Sequence, residues 1–126
     1  MKNIWTLAAC AIFILGCGAG REFPAIPAGA ALDQAPRDTI DMAAERYRFI
    51  PEEVRVKAGT LVIIRIKATD ATHGFALPAY GIDERIEKDS VRTVQFYAGE
   101  KGEYDFHCSH FCGIGHFGMT GTVIVE

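Results

Sequence analysis

The sequence predicts an all-β domain, a small sandwich or barrel of short strands, and three observations point there. Leu61 to Ala68 alternates, with Val62, Ile64 and Ile66 on one face and Arg65 and Lys67 on the other. That is the period-two pattern of a strand with one buried side. Glycine and proline turns break the chain into short β-branched runs, as in small sandwiches and barrels. Helical periodicity longer than two turns is absent.

The elements follow in order. Thr39 to Ile50 shows no decisive period, and Pro51 separates it from a short strand, Val54-Arg55-Val56. Ala58-Gly59-Thr60 turns into the strand at 61–68. His73 lies in Thr72-His73-Gly74-Phe75, where one strand ends and another begins. Ser90 to Tyr97 is β-rich and is closed by the turn Ala98-Gly99-Glu100-Lys101-Gly102. Gly102 to Cys108 alternates again, putting Tyr104 and Phe106 on the face of Cys108, and Thr120 to Val125 forms a β-branched closing strand.

A chain of 126 residues makes one domain. Lys2 followed by the uncharged run Ile4 to Gly16 has the shape of an export signal. Its end, Ile14-Leu15-Gly16-Cys17, resembles a bacterial lipobox, where the cysteine is acylated. An uncleaved membrane anchor and a plain secretory signal are the alternatives. Residues 1–17 are therefore expected as leader or anchor, the Pro- and Ala-rich 18–38 as a flexible tether, and 39–126 as the folded domain. All three versions place the domain on the outer side of the cytoplasmic membrane, in the periplasm, and acylation or a retained anchor would make it membrane-tethered. The net charge of −3 is spread along the chain without blocks of like sign, which excludes a basic nucleic-acid arm. Of the four cysteines, Cys10 and Cys17 fall in the leader. Cys108 and Cys112 are too few for a disulfide-stapled scaffold.

The chemistry sits between the last two strands, in Cys108-Ser109-His110-Phe111-Cys112-Gly113-Ile114-Gly115-His116-Phe117-Gly118-Met119. Thiols, an imidazole and a thioether within one loop are soft donors that suit copper better than calcium or magnesium. A curled loop can aim both sulfurs at one point, with Gly113, Gly115 and Gly118 allowing the turns that return His116 and Met119 to it. A sandwich can bring His73 to the same end. The same residues also admit a Cys108–Cys112 disulfide or a structural zinc site. A mononuclear blue-copper site on His73, Cys112, His116 and Met119 is a further reading. A thioredoxin-like copper-delivery module is disfavoured because there the cysteines precede the histidine, near a helix start.

The pattern C-S-x-x-C-G-x-x-H-x-x-M with an upstream H-G-F resembles the binuclear copper (CuA) domain of cytochrome c oxidase subunit II. The likeness runs over nearly all of 39–126. It implies a cupredoxin-like Greek-key barrel and a CuA centre of two copper ions bridged by the Cys108 and Cys112 thiolates. It further implies one imidazole on each copper, from His73 and His116, with Met119 and the His110 carbonyl as weak ligands. No coordination position is left open for a substrate, so the domain itself is implied to be an electron carrier. The resemblance also implies a c-type cytochrome as donor and subunit I of a haem–copper oxidase as acceptor. The alternative role is an exported copper-binding protein without an oxidase partner. The position of His110 is commonly a glutamate reaching a magnesium site shared with subunit I, so that link is not carried over here. Trp5, the only tryptophan, lies in the leader. Electron access is expected through exposed Ile114, Phe117 or Phe75, and His107, opposite Cys108 on its strand, is expected in solvent.

Overall fold

The computed structural model describes residues 32–126. The expected leader, Trp5 and most of the expected tether lie outside the described residues. Among the described residues, no helix is long and apolar enough to cross a membrane.

Among the described residues, nine strands make two sheets: β1 (Arg37–Glu45), β2 (Arg48–Ile50), β3 (Glu53–Val56), β4 (Thr60–Ala68), β5 (His73–Leu77), β6 (Ile82–Ile86), β7 (Val91–Ala98), β8 (Gly102–His107) and β9 (Thr120–Val125). One sheet is ordered β2-β1-β4-β7 and the other β3-β9-β8-β5-β6. β1 runs parallel to β4, and β3 parallel to β9; the remaining pairs are antiparallel. The fold is the expected all-β, cupredoxin-like sandwich. β1 starts at Arg37, two residues before the expected edge of the domain, because pairing with β4 begins at Arg37↔Leu61 and the Pro36 carbonyl accepts from the Leu61 amide at 2.8 Å.

β4 alternates as its sequence requires: Val62, Ile64 and Ile66 are buried against the opposite sheet while Arg65 and Lys67 are exposed. β1 buries only Met42 and Ala44 fully, and β2 contributes Phe49. Phe49, Phe75 and Phe106 meet in the core with ring centroids 5.1–5.8 Å apart, two of the three contacts edge-on. Each such buried ring contributes roughly 1.5–3 kcal/mol relative to exposure. Phe75 and Phe106 lie two residues from His73 and Cys108, so this aromatic cluster supports those two positions from below. It also corrects the expectation for Phe75, which is fully buried in β5 and cannot meet a partner.

Candidate metal centre

All the residues singled out from the sequence converge at one end of the sandwich. His73 opens β5, and its imidazole is fully buried. β8 ends at His107, and Cys108 leaves the sheet beside His73. The loop from Cys108 returns through a 3₁₀ turn at His116–Gly118, and it is closed where the Cys108 amide donates to the Met119 carbonyl at 2.9 Å.

Gly74 lets this happen. A Cβ there would collide with the Ser109 hydroxyl and come within 2.6 Å of the His110 backbone nitrogen, so only glycine lets β5 lie against the cysteine loop. Within that loop, Gly113 is needed for its positive φ of 139° and Gly115 because Tyr47 packs against it. Gly118, expected to serve the same end, has open space where a Cβ would sit and is not among the positive-φ residues.

The donor atoms form a short chain. His73 Nδ1 lies 3.9 Å from Cys108 Sγ, and the two sulfurs are 3.8 Å apart. His116 Nδ1 is 3.7 Å and Met119 Sδ 3.9 Å from Cys112 Sγ. The His110 carbonyl accepts from Cys108 Sγ at 3.1 Å. Metal bonds of about 2.0–2.3 Å at angles near 110–120° separate neighbouring donors by about 3.5–4 Å, so these spacings fit donors shared on metal ions. His73, Cys108 and Cys112 already lie within 4.8 Å of one another. Both cysteines are free and buried. Burial, and then the neighbouring Cys108 thiol, push the Cys112 thiol up to about 11. Without a metal Cys112 therefore stays protonated at neutral pH, and a soft cation must displace its proton.

Solvent exposure is expected for His107. His107 is exposed, and the His110 ring is half-buried. Ile114 and Phe117 are 96% and 87% exposed, and Phe111, not anticipated from the sequence, joins them at 66%. The His116 ring lies between Phe111 and Phe117, with centroids 5.5 and 5.1 Å away.

Three further residues reach the site unannounced by the sequence. Asp70 Oδ1 accepts from His73 Nε2 at 2.9 Å, and Asp70 Oδ2 accepts from the Arg46 backbone amide at 2.9 Å. Arg46 Nε donates to the Cys112 carbonyl at 2.7 Å. The Tyr47 ring fills the space against Gly113 and Gly115. Asp70 had a local signal, a carboxylate three residues before the histidine. Arg46 and Tyr47 had none, being more than sixty residues from the loop they touch.

A family model described as Cupredoxin-like domain matches residues 7–125. Cytochrome c oxidase subunit 2 of Thermus thermophilus is 30% identical over 101 residues, covering 79% of this chain and 75% of that protein. Nitrous-oxide reductase of Cupriavidus necator is 32% identical over 92 residues, 70% of this chain but only 14% of the reductase. Among solved structures, the periplasmic domain of subunit II of cytochrome oxidase from Bradyrhizobium japonicum superposes with a TM-score of 0.65. It is 20% identical, over 70% of this chain and 83% of that one. Auracyanin A, a blue copper protein from Chloroflexus aurantiacus, gives 0.58 at 21% identity, over 71% and 99%. These structural likenesses establish the fold.

Proposed function

The chain belongs to the Cupredoxin-like domain family, whose members bind copper for electron transfer, and on that premise we propose that Cys108 and Cys112 hold a pair of copper ions as a CuA centre that relays single electrons. One observation carries this reading: two sulfurs 3.8 Å apart, each with its own imidazole, at 3.9 Å for Cys108 and 3.7 Å for Cys112. A mononuclear blue-copper site needs a single cysteine; here the second sulfur is equally buried, and each has a third donor of its own, the His110 carbonyl or Met119 Sδ. Copper ions held by Cys108 and Cys112 would share one electron between them, so little would rearrange when the electron arrives or leaves.

The protein contributes the rest. Burial of His73, Cys108, Cys112 and Met119 shields these donors from bulk water. Donors seated on β5 and on the end of β8 are held by the sandwich in one geometry, which keeps reorganisation small. His116, between exposed Phe111 and Phe117, is the route by which a partner reaches the centre. The partners fitting this reading are a c-type cytochrome as donor and subunit I of a haem–copper oxidase as acceptor. The domain would be membrane-tethered through residues 1–17 and 18–38 on the outer side of the cytoplasmic membrane.

Copper counting with electron paramagnetic resonance tests the proposal. The parent chain should hold two coppers with the unpaired electron spread over both. Cys108→Ser should lose the purple binuclear spectrum and the shared-electron pattern. An unchanged spectrum and copper count in that variant overturns the bridging assignment.

A further inference from the structure

Both ligand-bearing segments are fastened to one place, the two-residue turn Arg46–Tyr47 between β1 and β2, which carries none of the metal donors. Asp70 spends its two carboxylate oxygens on two different targets, His73 Nε2 and the Arg46 amide, each at 2.9 Å. The Arg46 side chain then crosses to the other segment, where Nε donates to the Cys112 carbonyl at 2.7 Å. Tyr47 lies beneath the same loop, against Gly113 and Gly115.

We propose that Arg46 and Asp70 are positioning residues, a clamp that sets the His73 tautomer and ties the Cys112 loop to it before any metal arrives. An ionised carboxylate can only accept, so the imidazole proton must sit on Nε2, and the Nδ1 lone pair is left facing Cys108 Sγ. The guanidinium bond to Cys112 is charge-assisted and fixes the peptide next to the second sulfur. A displacement of either loop is therefore felt by the other through a single residue. This inference deepens the copper-centre reading and rests on it for the identity of the metal.

The test uses the full chain in two states. In the metal-free protein, long-range ¹H–¹⁵N spectra read the His73 tautomer; with copper, competition against a chelator reads affinity. Asp70→Ala should mix the two tautomers and lower copper affinity about 10–100-fold. Asp70→Asn should keep the Nε2–H tautomer, since its amide oxygen still accepts from His73. It should still lose affinity, because its NH₂ cannot accept from the Arg46 amide. Arg46→Met should leave the His73 tautomer intact, speed amide exchange at 113–115 and weaken copper about tenfold. The clamp is overturned if Asp70→Ala leaves one tautomer, or if all three variants bind copper within about threefold of the parent. A parent chain that takes up no copper would sink the proposed function instead, while the tautomer and exchange readings would still decide the clamp.

Discussion

The two halves of the centre are built by opposite means. The His73–Cys108 half is rooted in the sandwich: His73 is fully buried, opens a central strand, rests over Phe75 and Phe106, and is braced by Asp70. The His116–Cys112 half is carried by a loop. Its imidazole is half-buried, its Nε2 has no hydrogen-bond partner among the described residues, and its neighbours Phe111, Ile114 and Phe117 face solvent. A centre that must both keep its geometry and touch a partner gains from this division. One half fixes the donors, and under the proposed electron-transfer role the other gives access.

Substitutions can break that comparison. The largest effect is expected at Gly74, where a methyl group meets backbone. Gly74→Ala should destabilise the fold by about 3 kcal/mol, the upper end for overpacking, with loss of copper uptake, as read by thermal unfolding and metal analysis. Next comes the Cys112 thiol. Copper uptake releases its proton, so between pH 6 and 8 apparent affinity should rise about tenfold per unit for this thiol alone, measured by chelator competition. The raised pKa also sets a sign for the metal-free chain. Its stability should be unaffected by this group through neutral pH and fall as pH climbs from the ordinary thiol value of 9.0 towards about 11. Phe117→Ala should leave the melting temperature unchanged yet slow electron exchange with a c-type cytochrome about tenfold, the loss expected of one well-placed contact residue. Smallest is Gly118→Ala, with nothing near its Cβ: a stability change within about 0.5 kcal/mol. Equal damage from Gly74→Ala and Gly118→Ala would erase the distinction between the halves.

What was legible in the sequence follows the same line. β4 and β8 could be read because one face of each is buried and the other wet, so period two survives. β5 could not be read this way, because all five residues are buried and no alternation remains. β6 is an edge strand whose middle three residues are exposed, and β1 does alternate, but Ala43 beside Ala44 gives its two faces little contrast in side-chain type. Cys108, Cys112, His116 and Met119 announced themselves because one loop carries all four, and His73 because its neighbours complete a motif. Arg46 and Tyr47 stayed hidden: their role arises only when the β1–β2 hairpin folds against a loop distant in sequence. Phe75 misled for a related reason, since an aromatic beside a ligand reads equally well as surface or as core until the sheet is assembled.

The direction of β1 has a mechanical consequence. The strand begins at Arg37 and ends at Glu45, next to the turn that touches Cys112. Its nine residues span about 26 Å, so the chain enters the sandwich at the pole away from the sulfurs. Residues Arg37 to Ala44 are each in register with a residue of β4. A pull transmitted from the N-terminal side along the strand axis therefore loads those eight rungs together, in shear, rather than unzipping them one at a time. The sulfurs at the far pole are insulated from that tug.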